Sequence, residues 1–194
     1  MYELFILSKL LHRPMHGYLI QTILNSAIGP FRRVSWGTLY PLMKRLEQKG
    51  LIVAVDTSED DPRGKKRYRT TEAGRSRFLE LMNRSGDYDA DYGDLFRIKL
   101  GCFGHVSDED RRMILEDYRA YQSQIMVHTE SMTLRVTQAS ELPAQEQRFA
   151  LLGLDHKQKL AEQEILWVDS LLTKPELPAP TATRPKKGRS KLQR

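Results

Sequence analysis

Hydrophobic residues near the start of the chain recur three and four positions apart, which is the spacing of one face of an α-helix. The pattern predicts helices over residues 3–12 and 17–27, and Pro14 and the pair Gly29-Pro30 bring them to an end. Each helix has a single apolar side. Together they indicate a small helical core with polar outer faces.

A third helix and a hairpin follow. Residues 36–49 form an amphipathic segment that Ser35 can cap and Gly50 can end. Residues 51–55 then alternate between two faces, as a half-buried strand does, and residues 66–70 predict a returning strand. The polar stretch between the two strands predicts a hairpin loop. A helix followed by a hairpin with a basic tip is the element order of a winged helix-turn-helix.

Longer helices dominate the second half of the chain. Four helices are predicted after the hairpin, over about residues 72–83, 94–100, 107–136 and 144–172. The polar and acidic residues 85–93 predict a hinge, and residues 173–194, with four prolines and almost no apolar side chains, predict a disordered basic tail. The expected fold is mostly helical, of the α+β class. It has a winged helix-turn-helix domain over 1–84 with a two-stranded wing, and an all-helical dimerisation domain over 94–172.

Apolar residues on the two longest predicted helices lie on several faces. On the first of them, positions four and three apart form a heptad stripe, and the second carries a similar stripe. Two antiparallel helices cannot bury all of these faces against each other, so we expect a second copy of the chain to cover the remainder. The predicted dimer interface consists of Ile114, Tyr118, Tyr121, Ile125, Ile165, Val168 and Leu172.

The formal net charge of +6 suggests an anionic partner, but the charge is unevenly distributed. Seven basic residues and one acidic residue in 173–194 account for all of it, so only local clusters are informative elsewhere. The single cysteine, Cys102, excludes an internal disulfide and fits a reducing, cytoplasmic setting. No apolar run approaches the roughly 18 to 20 residues of a membrane helix, and the first residues lack the features of a signal peptide. We therefore expect no membrane partner.

The start of the third helix and the hairpin carry residues that suit nucleic acid. The first residues of a recognition helix meet base edges, and serine and threonine hydroxyls can bond to bases or phosphates. A basic cluster on the hairpin would neutralise phosphates. The predicted DNA-contacting residues are Tyr18, Ser35, Trp36, Gly37, Thr38, Tyr40, Lys44, Arg45, Lys65, Lys66 and Arg67.

Several of these residues also have a purely structural interpretation. Ser35 can act only as a helix cap, Trp36 can pack in the core, and Tyr18 can be a buried tyrosine with a satisfied hydroxyl. Three acidic residues at positions 59–61 would partly cancel the basic cluster on the same loop. We favour phosphate contact by the hairpin because the helix before it agrees with that function.

Aromatic residues near the predicted hinge suit a planar ligand or plain packing between two domains, and packing is the simpler interpretation. The candidate ligand-binding residues are Tyr88, Tyr92, Phe96 and Phe103. His12 and His16 have the spacing of a helical metal pair, but Pro14 between them breaks the helix, so we expect no metal and no cofactor. Glycine-rich phosphate loops, nucleophile elbows and zinc-protease motifs are missing from the sequence, which argues against an enzyme.

Several short motifs occur together in the first 80 residues. They are His16-Gly17-Tyr18, Ser35-Trp36-Gly37-Thr38-Leu39-Tyr40-Pro41-Leu42, Lys44-Arg45-Leu46-Glu47, Gly50-Leu51-Ile52 and Tyr68-Arg69-Thr70-Thr71-Glu72-Ala73-Gly74-Arg75. In this combination they resemble the PadR family of bacterial transcriptional regulators, and residues 96–106 with the helix after them resemble the family's C-terminal domain more loosely. The resemblance implies a winged-helix domain, a helical dimerisation domain and a repressor of a palindromic operator. Some relatives respond to phenolic acids or planar drug-like compounds.

The predicted function is that of a cytoplasmic, homodimeric, sequence-specific DNA-binding regulator, a repressor that a small aromatic or planar effector can release. One alternative is a winged-helix module that binds other proteins and has no specific affinity for DNA. Another is a small-molecule enzyme that acts at the aromatic region between the domains, which would require an acid–base pair in a cleft. The basic tail alone would also bind any polyanion, so tail and folded domain must be separated in an experiment.

Overall fold

The computed structural model describes residues 1–55, 66–86 and 88–174. The elements of the first half are α1 (Tyr2–His12), β1 (Met15–His16), α2 (Gly17–Ala27), α3 (Trp36–Gln48), β2 (Ile52–Val55), β3 (Arg67–Thr70) and α4 (Glu72–Asn83). Those of the second half are α5 (Tyr92–Leu100), a 3-10 turn (Phe103–His105), α6 (Asp108–Gln138) and α7 (Ala144–Leu172). The predicted fold class, mostly helical with a small antiparallel sheet in a winged helix, is confirmed.

The sheet has three strands in the order β1-β3-β2, all antiparallel. The central strand β3 pairs Tyr68 with Ala54 on one side and with Met15 on the other. The sequence predicted two strands, and β1 is a third that it did not predict. Two residues cannot show an alternating pattern, so β1 is defined by its pairing alone. The strand ties the link between α1 and α2 to the wing.

Side-chain caps determine where the helices of the first half begin. Ser35 accepts a hydrogen bond from the backbone N–H of Thr38, as the sequence predicts, and Thr71 accepts one from Gly74. The start of α2 is capped by His16, whose Nδ1 accepts from the N–H of Leu19 at 3.0 Å. This third cap has no signal in the sequence, because histidine is not among the usual capping residues.

The core of the first half is formed where α1, α2, α3 and α4 meet the sheet. Its fully buried side chains include Leu4, Ile6, Leu7, Ile20, Leu24, Leu39, Met43, Leu46, Ile52, Phe78 and Met82. The predicted inward stripe of α3 is therefore confirmed for Leu39, Met43 and Leu46. Close packing of this kind leaves the opposite side of α3 to solvent.

Gly74 allows α4 to approach the start of the wing. A β-carbon at this position would lie 2.0 Å from the carbonyl oxygen of Leu51 and 2.7 Å from the side chain of Thr70. The backbone oxygen cannot move away without breaking the sheet, so only glycine fits. This contact holds the wing against the helical core.

Helices α6 and α7 form a long antiparallel pair. A capping box begins α6: Ser107 and Asp110 each accept a hydrogen bond from the other's backbone N–H. Both helices end within two residues of the predicted positions. The residues of α6 and α7 that are buried include Ile114, Leu115, Tyr118, Gln122, Thr129, Ala161 and Val168.

Part of the predicted dimer interface is wrong. Ile114, Tyr118 and Val168 are 3%, 4% and 0% exposed within one chain, so no surface of theirs remains for a partner. The heptad stripe is used for packing inside the chain, because α7 folds back on α6 and covers it. The other four predicted residues, which keep part of their surface, are Tyr121, Ile125, Ile165 and Leu172.

Polar side chains hold the segment predicted as a hinge. Asp117 of α6 accepts hydrogen bonds from the hydroxyl of Tyr88 at 3.0 Å, from the hydroxyl of Tyr92 and from the N–H of Gly86 at 3.2 Å. Lys99 is buried and donates to the carbonyl of Arg84 at 2.7 Å. Helix α5 therefore begins at Tyr92, two residues before the predicted start, since Tyr92 is packed rather than exposed.

The hairpin loop at 56–65, with Lys65 and the acidic residues 59–61, lies outside the described residues. The same is true of the tail from residue 175 onward. Within the part of the chain that is described, no helix has both the length and the apolar content that crossing a membrane requires.

Candidate nucleic-acid interface

The outer face of α3 exposes the residues that the sequence assigns to DNA. Ser35, Gly37 and Thr38 lie at the surface, and the rings of Trp36 and Tyr40 are 41% and 50% exposed. One position inside this run, Leu39, is fully buried. Because the inward stripe anchors the helix in the core, the first turn and a half projects outward and its side chains are free to meet a large ligand.

Two hydroxyls stand together at the start of α3. The Oγ of Ser35 accepts from the N–H of Thr38 at 3.2 Å and lies 3.1 Å from the Oγ1 of Thr38. Capping uses only part of the hydrogen-bonding capacity of the Ser35 hydroxyl, since a hydroxyl has one donor and two acceptor sites. The capping interpretation therefore holds, and both hydroxyls can still bond to a base or a phosphate.

The Trp36 ring is partly packed and partly exposed, so packing is shown and contact with DNA stays a prediction. The ring covers Gly17, where a β-carbon would lie 2.4 Å from the ring, and it packs 5.6 Å from the ring of Tyr40. The remaining part of the ring is exposed. Tyr18 is 65% exposed, so the interpretation of Tyr18 as a buried tyrosine is wrong.

A cleft of about 450 Å³ opens between the start of α2, the outer face of α3 and β3. Its lining combines aromatic rings with three charged side chains and consists of His16, Gly17, Tyr18, Trp36, Tyr40, Met43, Lys44, Glu47, Lys66 and Tyr68. Five of the predicted DNA-contacting residues line it: Tyr18, Trp36, Tyr40, Lys44 and Lys66. The lysines supply positive charge and the rings supply flat apolar surface, a combination that suits the backbone of a nucleic acid.

Lys66 links the wing to α3. Its Nζ lies 2.7 Å from the Oε1 of Glu47 and 5.3 Å from the centre of the Tyr68 ring. The hydrogen bond to Glu47 raises the pKa of Lys66, and burial together with Glu47 raises the pKa of Tyr68. The ammonium is thus held charged at the edge of the cleft. Glu47 was not among the residues that the sequence assigned to the site.

The other predicted phosphate-binding residues surround the cleft. Lys44 and Arg45 are exposed on α3, with Lys44 in the cleft wall and Arg45 one position beyond it. Arg67 is half-buried at the start of β3. Lys65 is outside the described residues, so only the inner part of the basic cluster is seen.

The loop before α3 is held by side chains of α2. The N–H of Val34 donates to the Oδ1 of Asn25 at 2.7 Å, and the carbonyl of Val34 accepts from Gln21 at 2.9 Å and from Asn25 at 3.2 Å. These bonds position the start of α3 relative to α2. The sequence offered no sign of them, because both residues look like ordinary surface positions of an amphipathic helix.

A second contact connects the same loop to the helical domain. Arg32 donates to Asp91 at 2.9 Å and to Asp94 at 2.7 Å, and Asp94 also accepts from Arg97 at 2.7 Å. The hydrogen bond to Arg32 lowers the pKa of Asp91. Two carboxylates on one guanidinium form a network, which is stronger than a single exposed ion pair.

A larger cleft of about 650 Å³ lies between α5, α6 and α7. Of the predicted ligand-binding residues, only Tyr88 lines this cleft, where its ring contacts that of Tyr121. Tyr118 also lines the cleft. Tyr92 is buried on Asp117, and the Phe96 ring is stacked 3.5 Å from that of Tyr118 at the edge of a neighbouring cleft. Phe103 lies apart, in the 3-10 turn. Packing therefore accounts for Tyr92 and Phe96.

Basic and polar side chains line the larger cleft beside the tyrosines. Arg97 and Lys157 supply positive charge, and Gln122, Thr129 and Glu164 supply hydrogen-bonding groups. The hydroxyl of Tyr118 donates to Glu164 at 3.2 Å and accepts from Gln122 at 2.7 Å. Sequence reasoning missed these residues because they come from distant helices and share no motif.

The histidines and the cysteine occupy other places. The Nε2 atoms of His12 and His105 lie 2.9 Å apart, and no group of three or more potential metal ligands occurs among the described residues. Burial lowers the pKa of His105, and the nearby charge of His12 lowers it further. Cys102 is buried and its pKa is raised by that burial, which makes it unreactive.

Comparison with known proteins agrees with the N-terminal half. The family model of the Transcriptional regulator PadR-like family matches residues 6–80, which confirms the resemblance seen in the motifs. These residues run from α1 through the wing to α4 and include the whole described lining of the 450 Å³ cleft. No curated protein matches the sequence.

Solved structures that are similar to this chain include the following three. Bacillus subtilis PadR in complex with operator DNA has 19% identity, covers 88% of this chain and 95% of its own, and has a TM-score of 0.41. The same protein with p-coumaric acid has 18% identity, covers 88% and 92%, and has a TM-score of 0.38. The Vibrio cholerae virulence activator AphA has 23% identity, covers 89% and 96%, and has a TM-score of 0.37. From the family match, residues 6–80 carry the domain of a PadR-like transcriptional regulator.

Proposed function

We propose that this chain binds duplex DNA, with α3 in the major groove and the wing beside the phosphate backbone. The observation that carries the proposal is the exposed surface of Ser35, Trp36, Thr38 and Tyr40 next to a cleft that contains Lys44 and Lys66. A helix of this size fits the major groove, and flanking cations hold it by phosphate contacts that do not depend on sequence.

The two hydroxyls and two rings at the start of α3 are proposed to read bases. Ser35 and Thr38 can donate to and accept from base edges, and the Tyr40 ring can contact a thymine methyl group. Gly37, between them, presents only backbone and lets DNA approach closely. Phosphate contacts are assigned to Tyr18, Lys44, Arg45, Lys65, Lys66 and Arg67.

We further propose that the regulator acts as a homodimer through α6 and α7. These helices keep large apolar side chains at the surface, and those at least 43% exposed are Met113, Val127, Leu134, Phe149, Leu152, Leu160, Leu166 and Trp167. Exposed apolar surface of this extent is typical of an interface. A twofold dimer would place its two α3 helices about one DNA turn apart, roughly 34 Å, on a palindromic operator. Occupation of that operator in the bacterial cytoplasm would repress transcription.

The larger cleft is the proposed site of a small aromatic effector. The tyrosine rings can stack on a planar molecule, and Arg97 and Lys157 can pair with an acidic group on it. Arg97 also bonds to Asp94, which holds Arg32 in the loop before α3. A ligand that draws Arg97 away would loosen this contact and disfavour the DNA-binding arrangement of the two domains.

Selection of binding sites from random duplexes by the purified full chain tests the proposal. The expected result is a twofold-symmetric consensus with half-sites about one turn apart. Deleting residues 175–194 should leave the consensus unchanged, because the tail supplies only sequence-independent attraction. Recovery of no consensus at about 0.15 M salt would favour the alternative, a winged-helix module that binds proteins.

A further inference from the structure

A carboxylate occupies the cleft that the proposed function turns toward DNA. Among the described residues lining that cleft, Glu47 carries the only carboxylate, and its side chain is 30% exposed. A negative charge on a phosphate-binding surface opposes binding, because charges closer than the Debye length of about 8 Å are poorly screened at physiological salt. The position of Glu47 therefore needs an explanation beyond folding.

Glu47 is engaged with the cation that DNA would need. Its Oε1 lies 2.7 Å from the Nζ of Lys66, and the ammonium also lies over the ring of Tyr68. The two side chains come from different elements, α3 and β3, so the contact forms only when the wing is packed on the helix. In this state Lys66 and Glu47 together present almost no net charge to an approaching phosphate.

We propose that Glu47 competes with DNA phosphates for Lys66 and so limits the part of the affinity that does not depend on sequence. This inference rests on the proposed function. In the free protein Lys66 is held by Glu47. On DNA the ammonium moves toward a phosphate, and its attraction to that phosphate is offset by the lost carboxylate contact.

Competition between Glu47 and phosphates for Lys66 would lower the affinity of a regulator for unrelated DNA. Cation–phosphate contacts strengthen binding to every duplex, including the large excess of unrelated sites in a genome. An internal anion weakens that common contribution and leaves the contacts of α3 with bases untouched. Glu47 would thereby weaken the retention of the protein on unrelated DNA, while the ratio of operator affinity to non-specific affinity stays the same.

If Glu47 instead positioned Lys66 for DNA, the same geometry would lead to the opposite change in affinity. An ammonium has three donors, so Glu47 can hold Lys66 in place while a second hydrogen goes to a phosphate. Glu47 would then position Lys66 and strengthen binding. Removal of the carboxylate distinguishes the two, because affinity rises if Glu47 competes and falls if Glu47 positions.

The test is a salt titration of DNA affinity for the full chain and four variants: Glu47→Gln, Lys66→Ala, the double variant, and Asp155→Asn as the matched control. Asp155 also forms a 2.7 Å pair with a lysine, Lys159, but on α7. Both single acidic changes add the same unit of net charge. Each protein is measured on its selected operator and on random duplex, and a thermal unfolding midpoint checks that it is folded.

We expect Glu47→Gln to tighten binding to both duplexes by the same factor, about two- to fivefold, with no effect of Asp155→Asn. Lys66→Ala should weaken both and reduce the salt slope by about one. In the Lys66→Ala background the effect of Glu47→Gln should largely disappear, because the competition needs both partners.

Other outcomes overturn the inference in distinct ways. Weaker binding by Glu47→Gln would show that Glu47 positions Lys66. An equal gain in DNA affinity from Asp155→Asn would show that the effect of Glu47→Gln comes only from the change in net charge. A gain from Glu47→Gln that persists without Lys66 would mean direct repulsion of DNA. If the unaltered chain selects no operator, the proposed function fails together with this inference. If Glu47→Gln itself unfolds, Glu47→Asp, which retracts the carboxylate by one methylene group, replaces it and should also tighten binding.

Discussion

The two halves of the molecule bury their apolar residues to different extents. In the first half, the large side chains of α1, α2, α3 and α4 converge on one core, and the aromatic rings that remain exposed include Tyr18, Trp36 and Tyr40 of the proposed DNA face. In the second half, α6 and α7 meet along one seam and leave another side uncovered, with Phe149, Leu152 and Leu160 more than half exposed.

The difference follows from the shapes of the elements. Short helices packed at angles around a small sheet can enclose a centre, whereas two long helices touch only along their facing sides. The first half is therefore complete in one chain. The second half has the surface of a protein that becomes complete in an oligomer, which is the basis of the proposed dimer.

The largest expected effect is on the closed core. Phe78→Ala should lower the free energy of unfolding by roughly 3–5 kcal/mol, because Phe78 is 1% exposed and its removal leaves a cavity. The adjacent Leu79, 38% exposed on the other side of α4, is the matched control, and Leu79→Ala should cost less than about 1 kcal/mol. Urea unfolding followed by circular dichroism measures both. Equal losses would show that α4 does not have a buried and an exposed side.

The next largest expected effect is on the oligomeric state, and it comes from the exposed apolar side of α6 and α7. Leu152→Lys should convert the chain to a monomer in sedimentation and weaken operator binding on the order of a hundredfold, because the second half-site is no longer tethered. Leu79→Lys, the same exchange on the N-terminal domain, should change neither property. A dimer that survives Leu152→Lys with full DNA affinity would remove this part of α7 from the interface.

The difference between the closed first half and the partly exposed helical pair could be predicted only in part from the sequence. Periodicity and capping residues predicted the ends of α3, α4 and α7 within about one residue, since such signals act over a few positions. The heptad stripe of α6 was also correct as an apolar stripe. It could not show whether the stripe faces α7 or a second chain, and for Ile114 and Tyr118 the prediction of a second chain was wrong.

Contacts between distant residues were the other part that the sequence could not supply. The polar segment 85–93 predicted a hinge because its hydrogen-bonding partners, Asp117 and Arg32, lie far away along the chain. Glu47 was likewise invisible as part of the site. Its carboxylate belongs to the site only through its contact with Lys66, and that contact forms when β3 packs beside α3.

A smaller effect is expected within the proposed DNA face. Thr38→Ala should reduce discrimination between the operator and single-base variants by about 1–3 kcal/mol at the position it reads, with little change in salt slope. Lys66→Ala is the contrasting variant, because it should lower the salt slope by about one and leave discrimination unchanged. Titrations on a set of operator variants at several salt concentrations measure both quantities. An unchanged preference with Thr38→Ala would exclude Thr38 from base recognition.

The smallest expected effect is on the free energy of unfolding at alkaline pH, and it concerns buried and half-buried tyrosines of the second half. Burial raises the pKa of Tyr88 and of Tyr118 to about 12, against about 10 in an unfolded chain. Between these values the folded protein keeps protons that the unfolded chain has lost, so stability should fall as pH rises. Lys99 has the opposite sign, because burial lowers its pKa and its contribution to stability increases up to about pH 10.5.

The pKa values of Lys66, Tyr68 and Lys159 are also raised in the folded protein, so they contribute to the decline in stability above pH 10.5. The share of Tyr88 is therefore isolated by substitution. Urea unfolding followed at 222 nm should show a declining free energy of unfolding from pH 10.5 to 12, and the decline should be shallower in Tyr88→Phe because that variant has one proton fewer to retain. The matched control for loss of a hydroxyl group is Tyr40→Phe in the N-terminal half, where the ring is 50% exposed. A slope that Tyr88→Phe leaves unchanged would mean that the Tyr88 hydroxyl is not held by Asp117 in solution, and the junction would then be the hinge that its polar sequence suggests.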